Sequence, residues 1–317
     1  MPPPRDQQLL VKAARLYYEE GRSQNEIATT LQVSRSSVSR MLTAARERGI
    51  VRIQINDPSG RDMDLENQLT SRFGLKDSRV AETHSHDRPL SRVGDLGARW
   101  LLDNLQPGQQ IGVSWGHGLQ SVVQHIPDEG GLDVEVLPLV GGLSAVDSAI
   151  SGEELVRDLA GRVGGQYLRL HAPALLTSKA GRDVLLAEPT IQKALDAARR
   201  AQIAIVGIGS AGQGSSAALV RAMNLSHEEK GRFEAAKPVG DICARFFDAD
   251  GTPLTGPTDD RVLGVSLADL ASIPTVAGVA AGPEKAGGVL GALRTRALDV
   301  LVCDSSLARA LLAREAG

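Results

Sequence analysis

Aromatic residues are scarce in this sequence, at 3% of 317 positions, and cysteine occurs only twice. Four Phe, three Tyr and two Trp are too few for the aromatic layers of a β-sandwich. The small aliphatic residues and 34 glycines that replace them suit helices packed closely on a sheet. Cys243 and Cys303 lie in the apolar runs ICARFF and VLVCD, which predicts buried free thiols in a reducing compartment and not a disulfide framework. No run of eighteen apolar residues occurs, and the opening MPPPRDQQLL lacks the apolar stretch of a secretion signal. The expectation is a soluble cytoplasmic protein with no membrane partner. The GxSxG, P-loop and HExxH signatures are also missing, and no nucleophile has a local base, which argues against a hydrolase or an NTPase. His84 and His86 alternate as strand neighbours could, but no third ligand is near, so they read as loop histidines and not as a zinc site.

Charge is unevenly spread. Residues 1–56 hold nine Lys or Arg against five Asp or Glu, a net of +4, leaving −7 for the rest of a chain whose total is −3. A basic head on an acidic body fits nucleic-acid binding by the head alone. In that head, apolar residues recur at helical spacing over residues 6–20, and Gly21 follows as a stop. Ser23 and Glu26 form a capping-box pattern opening a second helix over about 23–31, and Ser34 is the N-cap of a third over about 34–48. Between them, QNEIATTLQVSRSSVSRML places Ile27, Ala28, Leu31, Val33, Val38, Met41 and Leu42 where two crossed helices need apolar or small residues. One departure is Gln32, where the tight turn usually prefers glycine. On the outer edge of the third helix, Ser34, Arg35, Ser36, Ser37, Ser39 and Arg40 offer small hydroxyls for close approach and guanidiniums that fork onto guanine or phosphate. Double-stranded operator DNA is the expected partner.

Residues 50–55 alternate as a short strand would, and the NDPSGR that follows reads as a linker, giving a helix-turn-helix domain at 1–57 and a larger domain at 58–317. Met63, Leu65, Leu69 and Phe73 form a stripe that suits either a dimerising helix or ordinary core. From residue 79 onward, the strand segments RVAE, IGVSW, VEVLPLV, QYLRL, IAIVGIG, VGDICARFF, TVAGVAA and VLVCD alternate with helical stretches. That alternation predicts an α/β chain: a small helix-turn-helix domain followed by a large doubly wound, mostly parallel Rossmann-like domain.

The sequence resembles the SorC family of sugar-responsive bacterial transcriptional regulators, also labelled DeoR-like, along nearly its whole length. The resemblance is carried by AARLYYEEGRSQNEIATTLQVSRSSVSRMLTAARERGIVRIQI at the start, then by IGVSWG, LPLVGG, GDICARFFDADG and VAGVAAGPEKAGGVLGAL. It implies a C-terminal effector domain related in fold to sugar-phosphate isomerases but used for sensing a phosphorylated sugar or similar metabolite. It also implies self-association to a dimer or tetramer.

In a doubly wound sheet, ligands sit beyond the C-terminal strand ends, where turns lead into helix N-termini. Four such turns supply the expected effector site: Ser114, Trp115, Gly116, His117 and Gly118; Gly141, Gly142 and Ser144; Asp241, an acid in an apolar run; and Lys285, placed to meet phosphate. Asp241 is expected to meet a sugar hydroxyl, Arg245 or a backbone donor, because an unpaired carboxylate there would be costly. Asp304 is a weaker hydroxyl contact. The run GIGSAG, with Gly207, Gly209 and Gly212, matches a dinucleotide fingerprint, but Glu228 and Glu229 are the only acids near the required distance and lie in a polar helix-like stretch. Gly209 is therefore assigned to an effector-facing turn, and no cofactor is expected. The alternative to a regulator is a phosphosugar isomerase or transferase with a DNA-binding head, for which Asp241 and Asp304 are the only candidate acid–base residues.

Overall fold

The computed structural model describes residues 4–51, 60–83, 88–128, 130–143 and 152–315. Two compact units, Met1–Asn56 and Asp57–Gly317, divide the chain.

The first unit is a trihelical head of α1 (Pro4–Tyr18), α2 (Gln24–Leu31) and α3 (Arg35–Glu47). Ala13, Leu16, Ile27, Val38 and Leu42 form its core, joined by Ala28, Leu31, Val33 and Met41. The Ser23–Glu26 capping box closes reciprocally, the Glu26 N–H donating to Ser23 Oγ at 3.3 Å and the Ser23 N–H to Glu26 Oε2 at 2.8 Å. Gln32 takes the left-handed conformation (φ 54°) that the turn requires of it. Helix-end hydrogen bonds of the Gln32 N–H to Thr29 O and the Val33 N–H to Ala28 O hold it there, so glycine is dispensable at this turn. The predicted strand at 50–55 and the linker fall mostly on residues 52–59, outside the described residues.

In the second unit the strands are β1 (Asp77–Ala81), β2 (Gln110–Val113), β3 (Glu135–Pro138), β4 (Gln166–Tyr167), β5 (Ile203–Gly207), β6 (Gly209–Ser210), β7 (Gly240–Ile242), β8 (Arg245–Phe247), β9 (Thr275–Val279) and β10 (Val300–Asp304). Seven of them form a parallel sheet in the order β1-β10-β9-β5-β2-β3-β4. From β4 to β10 this is the doubly wound order, with β1 added at the far edge, so the winding reverses between β2 and β5. Strand alternation feeds two cores: Ile203 and Ile205 of β5 enter one, and Ala204 and Val206 enter the other. Both faces are thus covered, as a parallel sheet requires. The helix Met63–Phe73 belongs to this core, with Leu65 and Leu69 buried and Phe73 packed against them, although Met63 is exposed.

One expected strand is corrected. VGDICARFF is a hairpin of β7 and β8 in a separate antiparallel sheet with β6, because Cys243 (φ 53°) and Ala244 (φ 61°) turn the chain in two residues. Such turns usually hold Asn and Gly, so nothing in the local sequence announces this one. Both cysteines are buried and free. Among the described residues no helix is long and apolar enough to cross a membrane.

Candidate functional site

The C-terminal ends of β2, β5 and β9 open onto a cleft of about 580 Å³. That is a small-molecule size, and the place is the reversal point of the winding, where adjacent crossovers leave on opposite faces and part to make room. Trp115, Gly116, His117, Gly118, Gly209, Asp241 and Lys285 line it, so seven of the twelve expected effector residues come together.

Asp241 is 4% exposed. Its Oδ1 accepts a 2.5 Å hydrogen bond from Ser216 Oγ, the Ala244 N–H donates to the same carboxyl group, and Lys285 supplies an attractive charge. Burial nonetheless dominates and raises its pKa above the usual carboxylate range. Arg245, the partner considered for it, points elsewhere: its guanidinium binds Asp259 Oδ1 at 2.7 Å and the carbonyls of Asp259, Val262, Gly264 and Val265. Lys285 follows β9 and donates from Nζ to Ile208 O at 3.1 Å. Burial lowers its pKa, against the charges of Asp241 and Glu284. Cys243 also lines the cleft, but burial, with the Asp241 charge behind it, pushes its thiol up to about 12, so it is no nucleophile at neutral pH.

Gly209 has to be glycine here. A Cβ at that position would lie 2.0 Å from Asp241 Oδ1 and 2.2 Å from Ser216 Oγ. The second glycine of GIGSAG thus admits the carboxylate–hydroxyl pair. Glu229 caps its own helix through Ser226 and pairs with Arg261, so it is not the strand-end acid that a dinucleotide ribose needs.

Three helix starts at the cleft share one property. Helices Pro89–Asn104, His117–His125 and Gly214–Ala222 begin with lining residues and none has a side-chain cap, whereas Ala286–Arg294 continues the 3-10 turn Pro283–Lys285, whose Pro283 carbonyl accepts from the Ala286 N–H. Away from the cleft Ser178, Ser226 and Ser266 cap their helices, although Pro189–Arg199 and Pro257–Asp260 also start without a side-chain cap. Uncapped first-turn N–H groups remain available to a ligand, and the helix dipoles favour an anionic one. Two further buried polar atoms of lining residues, Trp115 Nε1 and Ser210 Oγ, have no hydrogen-bond partner among the described residues.

Four expected residues do not reach the cleft. The Ser114 hydroxyl accepts from the Gly207 N–H at 3.1 Å and fastens β2 to β5. Gly141 lies against the backbone of residues 172–174, which a Cβ would meet at 2.6 Å, and Gly142 exchanges hydrogen bonds with Ala172 and Ala174. Asp304 is fully buried and accepts from the N–H groups of Gly282, Ser306 and Leu307, an arrangement that shapes the Gly282 turn and caps the last helix. It cannot pair with Asp241 as acid and base. Ser144, His84 and His86 lie outside the described residues. Sequence reasoning missed Ser210, Gln213, Ser215, Ser216 and Glu284. The serine-rich SAGQGSS after β5 was the available signal for the first four.

In the head, Arg35, Ser36, Ser39 and Arg40 are exposed on α3 opposite buried Val38, Leu42 and Ala45. Ser34 Oγ accepts from the Ser37 N–H at 3.1 Å and lies 2.8 Å from the Ser36 and Ser37 hydroxyls, so it caps the helix. Thr43 continues the exposed edge one turn beyond Arg40.

Comparison with known proteins agrees with both units. The family model Sugar-bind, a sugar-binding domain, matches residues 57–313, and that of Sigma-70, region 4, matches 3–48. A transcriptional regulator LsrR from Klebsiella pneumoniae is 33% identical over 310 residues, covering 97% of this chain and 94% of that protein. The deoxyribonucleoside regulator of Bacillus subtilis is 32% identical over 312 residues, covering 96% and 97%. Among solved structures, the full-length sorbitol operon regulator SorC from Klebsiella pneumoniae superposes with a TM-score of 0.74 at 34% identity, covering 97% of this chain and 99% of that one. These relatives are regulators, and the enzyme alternative falls with that finding. With a helix-turn-helix head, a doubly wound domain and a cleft at its winding reversal, the chain belongs to the SorC-type family of sugar-binding transcriptional regulators.

Proposed function

We propose that residues 1–57 read operator DNA through α3, and that residues 58–317 bind a phosphorylated sugar in the cleft and hold the chain in a dimer or tetramer. The observation that carries the reading is the cleft itself, in which a buried carboxylate, a half-buried lysine and three uncapped helix starts surround a space sized for one metabolite. Asp241 takes the role of hydroxyl acceptor, Lys285 that of counter-charge to phosphate, and Trp115 that of an apolar wall with one N–H to offer. In the head, Arg35 and Arg40 make the base or phosphate contacts and the serines permit close approach. Relatives named for sorbitol and deoxyribonucleoside regulation support a carbohydrate catabolic operon as the target. Regulation then requires only that the ligand bind more tightly to one of two states that differ in operator affinity.

The test is calorimetry of wild type and Lys285→Ala against sugar phosphates and their free sugars, the pairs being chosen by a thermal-shift screen. Lys285→Ala is expected to weaken the phosphorylated ligand about tenfold or more, the worth of one charge-assisted contact, and to change the free sugar little. Equal losses for both would remove the phosphate role from Lys285.

A further inference from the structure

Sequence motifs point to Lys285 as the cation of the cleft, but the charges around it do not add up to a strongly positive site. Among the described lining residues the charged side chains other than histidine are one lysine, Lys285, and two carboxylates, Asp241 and Glu284; there is no arginine. Lys285 Nζ already donates to Ile208 O, and both carboxylates act on its charge. Glu284 is held close by geometry. Gly282 (φ 96°) is fixed by its N–H bond to Asp304 at 2.7 Å, and the Glu284 carboxylate folds back over it, 2.2 Å from where a Cβ would stand. The favourable field for an anion therefore comes from the uncapped starts of His117–His125 and Gly214–Ala222 and one partly neutralised lysine. That supply suits one anionic group. The remaining polar lining, Ser210, Gln213, Ser215, Ser216 and Asp241, offers hydroxyl, amide and carboxylate partners for neutral hydroxyls.

We infer that the cleft selects ligands with a single anionic group on a neutral hydroxyl-bearing body and rejects bisphosphates, with Glu284 as the residue that sets the rejection. This rests on the sugar-phosphate reading above. Among the described lining residues a second phosphate meets no second lysine or arginine and adds like-charge repulsion from Glu284, an effect of roughly tenfold for a partly screened pair at several ångströms. Glu284 touches no reacting group; it acts by excluding charge, as specificity devices commonly do.

The experiment is calorimetry on the full chain with matched series: fructose, fructose 6-phosphate and fructose 1,6-bisphosphate, and ribose 5-phosphate with ribose 1,5-bisphosphate. Each bisphosphate should bind about tenfold or more weakly than its own monophosphate. Glu284→Gln should recover most of that ratio by tightening the bisphosphate, and Glu284→Asp, which keeps the charge, should retain the discrimination. A bisphosphate that binds wild type as tightly as its monophosphate overturns the inference and leaves the sugar-phosphate reading standing. So does an unchanged ratio in Glu284→Gln. Binding by no monophosphate in either series counts against the sugar-phosphate reading itself and takes the inference with it.

Discussion

Helices in the head and helices at the cleft begin in opposite ways. In the head, α2 and α3 start on serines whose side chains accept first-turn N–H groups, so each start is satisfied by its own residues. At the cleft, three helices start without a side-chain cap, on Arg88, Gly116 and Gln213. A cap contributes about 1 kcal/mol, and a helix start that forgoes it beside a cleft leaves donors that a ligand can use. The head satisfies these two helix starts with its own side chains, and the cleft leaves three of its starts open.

Two substitutions test how separate these designs are. Ile27 is fully buried at the centre of the small head core, and Ile27→Ala should cost about 2–5 kcal/mol. Calorimetric melting should then show the head transition lowered and that of the larger unit unmoved. A single shifted transition would mean that the two units do not unfold independently. Gly209→Ala forces a methyl into the Asp241–Ser216 pair, for an expected loss of about 1–3 kcal/mol in the larger unit and the disappearance of ligand-induced stabilisation. Ligand binding that survives Gly209→Ala would separate the cleft from the effector site.

The smallest effect is one of pH. Burial raises the Asp241 pKa, so the folded state holds that proton more tightly than the unfolded chain does. The penalty for its charge is absent below the ordinary carboxylate value and grows as pH rises through the raised one. Wild type should therefore lose stability relative to Asp241→Asn as pH climbs from about 4, when melting temperatures are compared across the series. A constant difference between the two would show that folding leaves the Asp241 pKa unchanged and that burial imposes no penalty on its charge. Lys285 runs the other way: its lowered pKa means a penalty at low pH that is relieved as pH passes that value.

The same contrast decides what could be read before folding. Head residues act within one stretch, so the 3.6-residue spacing of Ile27, Leu31, Val38 and Leu42 and the serine caps gave the domain directly, including the unusual turn at Gln32. The doubly wound sheet was equally plain from alternating strands and glycine-rich strand ends. The cleft is different because segments near residues 90, 116, 212, 242 and 284 meet only in three dimensions. Motif context found Asp241 and Lys285. It also selected Asp304, whose place at the end of β10 looks ligand-like but whose carboxylate is consumed by backbone donors. The left-handed turn at Cys243 and Ala244 is set by tertiary packing, with no Asn or Gly to mark it, and so the hairpin carrying Asp241 read as one strand.

On this reading α3 of the head contacts DNA while the cleft independently takes the ligand, a separation that a single titration can test. It is tested most directly by fluorescence-anisotropy titration of an operator duplex, selected from a random pool, with wild type and the Arg35→Ala/Arg40→Ala double variant. Two lost guanidinium contacts should weaken operator binding by about a hundredfold or more, while ligand-induced thermal stabilisation of the larger unit stays at the wild-type value. Operator affinity unchanged in the double variant would contradict the claim.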